Sequence, residues 1–316
     1  MNKTYKLDWK QVNSRIPFYI QALDEEIRVG MYYLSVSGPY KFGYEYSTDR
    51  INWSELLPAK SISYPATENC ITVSAGQKLY IRASSASDFY NVVRASDWPW
   101  QNPTLPYLRC SGSCAAGGNL MFLLDYQGKY RTKPETRAQF KELFSYAGCV
   151  DASRLYIPKD YVCGREDFRQ MFSRTNVYSA ALRVAPTQLP ETLAPYAFQG
   201  MFANCKYLEI PAPLPKTVIV PEGAYYDMYL NCTSLKAMPK LYGTQIGGYG
   251  YYQMFRGCSL IKVSETQGGE YQNPVNIGNF TLDYNNTQYM FLETGGTFTG
   301  SPQEDTIYYT SNPIIE

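Results

Sequence analysis

The chain has 316 residues, enough for two domains with cores of their own, and its 45% hydrophobic and 16% aromatic content excludes a disordered chain. A formal net charge of +1 with no basic run removes the electrostatic drive toward DNA, RNA or anionic lipid. Histidine is absent, which excludes Ser-His and Cys-His nucleophile pairs and takes away the commonest metal ligand, while a carboxylate-pair glycosidase remains open because it needs only two of the 28 Asp and Glu residues.

Residues 1–9 carry no apolar core segment and no small-residue cleavage site, so no signal peptide is expected there. The longest apolar stretch, Leu120 to Leu124, is far too short to span a bilayer, and no membrane insertion is expected. Residues 29–36 and 41–46 alternate like strands, 47–50 read as a turn, 52–56 answer as a hairpin partner, and 71–82 give two more strands around Ser74, Ala75 and Gly76. Residues 1–115 are therefore predicted to form a β-sandwich.

Within that stretch, Trp98 and Trp100 stand in a loop fixed by Pro99 and Pro103. They either present aromatic platforms to a partner or fold back onto the sheet edge. Cys110 and Cys114 have the spacing C-x3-C with no second pair to complete a zinc site, which leaves a loop disulfide or two free thiols. Residues 116–150 read as a junction, and 133–144, with Pro134 near the start, as a helix that caps the repeats beginning at residue 151.

Residues 151–266 repeat. An apolar-x-apolar step recurs at Leu155, Leu182, Leu208, Leu235 and Ile261, with spacings of 27, 26, 27 and 26. A second column, Met-aromatic-x-x-Cys or a relative of it, has aromatic positions at Phe172, Phe202, Tyr229 and Phe255, with spacings of 30, 27 and 26, and closes three times on Cys205, Cys232 and Cys258. Phe144 lies 28 residues before this column and Phe291 lies 36 after it. A period in the twenties means that each unit is one supersecondary element whose apolar side is buried only by stacking. The apolar-x-apolar step reads as a very short strand, and the spacing of three and four in the second column suits one or two helical turns. The recurring cysteines read as small, buried, reduced side chains. Residues 267–316, rich in Gly, Asn and Thr, are expected to form a β-rich C-terminal cap.

The units Tyr196-Ala-Phe-Gln-Gly-Met-Phe-Ala-Asn-Cys-Lys-Tyr-Leu-Glu-Ile-Pro211 and Asp227-Met-Tyr-Leu-Asn-Cys-Thr-Ser-Leu-Lys-Ala-Met-Pro239 resemble the BspA-like leucine-rich repeats of gut Bacteroidetes and their phages. The likeness covers roughly residues 140–265. It implies a parallel solenoid of strands and helical turns and a surface or adhesion role, and it brings no catalytic residues; no cofactor and no metal are expected. The stretch before the repeats is similar to the β-domain that often precedes them. The fold expected is thus mixed and β-rich, an N-terminal β-sandwich followed by a short leucine-rich-repeat solenoid.

Tyr225, Tyr226, Tyr249, Tyr251 and Tyr252 recur with the repeat and are candidates either for a contact surface or for packing. The function expected is a non-catalytic virion protein of a phage infecting gut Bacteroidetes, a head or tail fibre or a capsid decoration, binding other virion proteins or a host-surface protein or glycan. A secreted adhesin of the BspA-like type is the alternative, with the glycosidase third, and a homo-oligomer is left open.

Overall fold

The computed structural model describes residues 14–32, 43–59, 69–84, 107–129, 138–173, 181–281 and 285–316. The first strands are β1 (Tyr19–Ala22), β2 (Ile27–Tyr32), β3 (Tyr44–Ser47), β4 (Ser54–Leu56), β5 (Ile71–Val73), β6 (Lys78–Ala83), β7 (Tyr107–Asn119) and β8 (Tyr146–Tyr156). Their period-two patterning sends Ile20, Val29, Leu79, Ile81 and Leu108 into the core. Where the sequence suggests a sandwich, the described residues form a single eight-stranded sheet of order β4-β3-β6-β1-β7-β2-β5, with β8 on the other side of β7. β1 and β2 run in succession along β7, with Tyr19 opposite Gly117 and then Val29 opposite Cys110, and β6 and β5 follow along their far sides. Both strand pairs break at one level, where the Gly76 N–H donates to the Ala22 carbonyl at 3.0 Å. Gly76 has φ +75°, a backbone state suited to glycine.

β8 belongs to both halves of the molecule. It pairs with β7 in parallel, while its Ala152 N–H donates to the Val184 carbonyl of the next chain pass at 2.9 Å. The sheet therefore continues into a solenoid, and one hydrophobic core runs from Phe18 to Tyr308.

The solenoid stacks as the repeat predicts, but among its described residues the helical turns are absent. In their place the described residues show six copies of a turn ribbon, at residues 138–145, 166–173, 196–205, 223–232, 249–258 and 285–294, which stack across five interfaces. Every fourth ribbon residue has a left-handed backbone: Tyr196, Gly200 and Asn204 in the third copy, Gly223, Asp227 and Asn231 in the fourth, and Tyr249, Gln253 and Gly257 in the fifth. One such residue per four forbids the α-helical ladder, and Gly and Asn tolerate the state best. Alternate N–H groups then close local turns, as from Met201 to the Phe198 carbonyl at 3.1 Å. The others point sideways to the next copy, as from Phe202 to the Met228 carbonyl at 3.0 Å. Residues 138–144 of the expected cap helix are the first of these ribbons, so that expectation is corrected for the same reason; residues 133–137 lie outside the described set.

The two residues after each of the first two left-handed positions of a ribbon are buried, which lines up two aromatic columns. Phe144, Phe172, Phe202, Tyr229, Phe255 and Phe291 stack with centroids 4.8–5.8 Å apart and planes within 12°. Phe140, Phe168, Phe198, Tyr225 and Tyr251 form the second column at 5.3–6.1 Å. Leu182, Leu208 and Leu235 are buried beside them, as are Cys205, Cys232 and Cys258. These three thiols donate to the carbonyls of Phe172, Phe202 and Tyr229 at 3.7, 3.1 and 3.0 Å.

Between ribbons lie the short strands β9 (Ile219–Val220), β10 (Met238–Pro239), β11 (Gln245–Ile246), β12 (Lys262–Ser264), β13 (Asn273–Asn276) and β14 (Asn279–Phe280), and after the last ribbon come β15 (Gly295–Gly296), β16 (Ile307–Thr310) and β17 (Ile314–Ile315). β9, β11 and β14 are parallel neighbours, as a solenoid requires. The C-terminal stretch instead runs across the coils: β16 is antiparallel to β12 and β13, and β17 lies parallel to β10. Asn312 locks it in place. Its amide donates to the carbonyls of Lys236 and Leu260 at 3.0 and 2.9 Å, and its Oδ1 accepts from the Lys262 N–H at 2.7 Å.

Candidate functional site

The ribbon's four-residue rule decides which tyrosines reach the surface. Tyr225 and Tyr251 fall on the second buried position and are 1% exposed, so they belong to the aromatic column and not to a contact surface. Tyr226, Tyr249 and Tyr252 are half-buried, and two tyrosines that the sequence pattern does not single out, Tyr196 and Tyr289, join them. Trp98 and Trp100 lie outside the described residues.

Together the five make a row across four neighbouring copies. The Tyr196 ring lies over Gly223, where a Cβ would collide with it, so glycine is needed there for both space and its φ of +58°. Tyr226 stacks on Tyr252 at 4.7 Å, Tyr249 packs edgewise on Tyr252 at 5.6 Å, and Tyr252 meets Tyr289 edge-on at 6.1 Å. The faces of Tyr226 and Tyr252 are thus partly spent on one another.

Polar groups flank the row. The Arg165 guanidinium lies over Tyr196 at 4.6 Å, and the Tyr196 hydroxyl donates to Glu222 at 2.7 Å. Burial, and then that bond to Glu222, push the Tyr196 phenol up to about 12. Asp227 follows Tyr226 directly, and its Oδ1 is buried without a hydrogen-bond partner. Burial raises this carboxyl to about 7, against the pull of Arg256, which in turn lies 3.5 Å from Glu293.

Tyr196, Tyr249 and Tyr289 all hold φ 58°. A bulky residue in the left-handed region costs roughly 1–2 kcal/mol. Among the described residues the other left-handed ribbon positions carry Gly or Asn, as at Gly200, Asn204, Gly223 and Asn231, or Ala, Asp, Glu or Gln, as at Ala138, Asp227, Glu142 and Gln170, and none of them carries an aromatic ring. Three strained aromatic residues on one face, at positions whose side chains the core does not use, mark the row as the candidate site.

Two clefts lie near the C-terminal strand. One of about 350 Å³ is lined by Lys240, Pro274, Val275, Ile314 and Glu316, and one of about 200 Å³ by Lys159, Glu191, Lys216 and Glu316. The carboxylates in them are held by lysines, Glu191 by Lys159 at 3.0 Å and Glu316 by Lys240 at 2.6 Å. Among the described residues no cluster of three His, Cys, Asp or Glu side chains is placed to hold a metal ion, and no helix is long and apolar enough to cross a membrane. The sequence matches no protein-family model, no curated protein and no solved structure.

Proposed function

We propose that the protein is a non-catalytic attachment protein that docks a protein surface through the row Tyr196, Tyr226, Tyr249, Tyr252 and Tyr289. The observation that carries this reading is the left-handed backbone at Tyr196, Tyr249 and Tyr289, all on that face. The other left-handed ribbon positions hold glycine or non-aromatic side chains such as Asn204, Asp227, Glu142 and Gln170, so a bulky phenol at each of these three is accounted for if it serves a contact. Tyrosine offers large area and a hydroxyl at low entropic cost, and neighbouring Glu222, Asp227, Arg165 and Arg256 give the rim a polar character. Because ring faces in the row are partly covered by neighbouring rings, a protein surface suits it better than a sugar ring stacked on a free face.

The setting we propose is the virion of a phage infecting gut Bacteroidetes, with the N-terminal β-domain toward the particle and the leucine-rich-repeat-like solenoid displayed. This rests on the likeness of residues 196–211 and 227–239 to BspA-like repeats. Immunogold labelling of purified particles beside washed host envelopes tests it. Label on particles is the expected result, whereas label confined to envelopes replaces the virion with a bacterial adhesin.

A further inference from the structure

We propose that Cys114 and Cys149 join in a disulfide when the protein meets an oxidising medium, stapling the N-terminal sheet to the first rung of the solenoid. The two residues are in direct register across the parallel pair β7–β8. Neighbouring strands lie about 4.8 Å apart, which places such a pair within the Cα separation that a disulfide spans. The Cys114 thiol already contacts both Cys110 and Cys149 by hydrogen bonds. The strands also come unusually close just before this point, since a Cβ on Gly148 would lie 2.5 Å from the Gly112 carbonyl oxygen. The ladder is irregular on both sides, with register shifts between Arg109 and Ser113 and between Cys114 and Ala115. A covalent tie there fastens the least regular part of the joint on which both halves depend. The Cys149 thiol also donates to the Asp151 carbonyl at 3.8 Å, within its own strand, whereas Cys205, Cys232 and Cys258 donate to backbone carbonyls of the preceding copy.

The chemistry needs a disulfide oxidant, for which glutathione disulfide serves. One S–S bond forms between Cys114 and Cys149, their two thiol protons and two electrons leave, and the oxidant's S–S bond is reduced to two glutathione thiols. Cys114 and Cys149 are only 0% and 3% exposed, so exchange proceeds through local opening of β7 from β8 and takes hours.

The test incubates the intact chain with glutathione disulfide for a day, blocks free thiols with iodoacetamide, digests with trypsin and maps the peptides by mass. Peptide 110–129 joined to 142–154 is expected in the wild type and in Cys110→Ser, and is lost in Cys114→Ser and Cys149→Ser. The oxidised wild type is expected to melt several degrees above the protein kept in dithiothreitol. No joined peptide, a link inside 110–129 alone, or a joined peptide that persists in Cys114→Ser overturns the proposal. Thiol mapping reads this out independently of any partner, so its failure and that of the tyrosine surface are separable.

Discussion

Asp167 is wholly buried, yet it accepts hydrogen bonds from the Tyr161 hydroxyl at 3.0 Å and from the backbone N–H groups of Gln139 and Gly164. Burial wins over these donors and raises its carboxyl to about 7, and Asp227 is raised to about 7 for the same leading reason. In the unfolded chain both titrate near the ordinary value of about 3.9. Between the two values the folded state binds more protons than the unfolded one, so their contribution to stability is fully present below about pH 4 and is lost as pH rises through 7. No histidine is present to confuse that window. Melting temperature is therefore expected to fall from pH 5 to pH 8, and Asp167→Asn is expected to flatten the slope; a rise over the same range contradicts the assignment. At the candidate site, Gly223→Ala is expected to displace the Tyr196 ring and destabilise the chain, which a lower melting temperature and a changed Tyr196 environment by NMR would register. Tyr196 and Tyr289 are inconspicuous in the sequence because they stand outside the Tyr-Tyr pairs, and only the four-residue count, from Gly200 and Asn204 for Tyr196 and from Asn285 for Tyr289, marks them as outward.

At the scale of the element, the repeat register was legible and the local conformation was not. Phe198, Met201, Phe202 and Cys205 are spaced by three, one and three, which suits a helix and a four-residue turn unit equally well. The distinguishing signal was the Gly or Asn that recurs on a four-residue grid, at Gly200 and Asn204 and then, eight apart, at Gly223 and Asn231, which a helix would not favour. The aromatic column makes each copy depend on the next. Phe202 is fully buried between Phe172 and Tyr229, so Phe202→Ala is expected to cost about 3–5 kcal/mol, measurable by urea denaturation. Asn312 carries no repeat signature, and its role as a clamp was invisible because its partners Lys236, Leu260 and Lys262 are remote in sequence. Asn312→Ala strands two carbonyls and an N–H, and a loss of about 2–4 kcal/mol is expected, with faster hydrogen exchange at residues 307–315. An unchanged exchange rate there would show that the C-terminal strands are held without the clamp.

For the whole molecule, β8 makes one core of two halves that the sequence presents as separate patterns, alternating strands on one side and a repeat on the other. Neither pattern shows that a single strand serves both, since Ala152 bonds Val184 only in three dimensions. A continuous core predicts one cooperative unfolding transition, and two resolved calorimetric peaks would contradict it. In the function we propose, the tyrosine row is kept for contact at the expense of backbone strain. The most direct test compares the wild type with the triple variant Tyr196→Asn, Tyr249→Asn, Tyr289→Asn, measuring saturable binding of labelled protein to gut Bacteroidetes cells together with the melting temperature of each. At least a tenfold loss of affinity is expected, with a melting temperature that is unchanged or higher, since asparagine relieves the left-handed strain. Undiminished binding by a folded triple variant would contradict a contact role for the row.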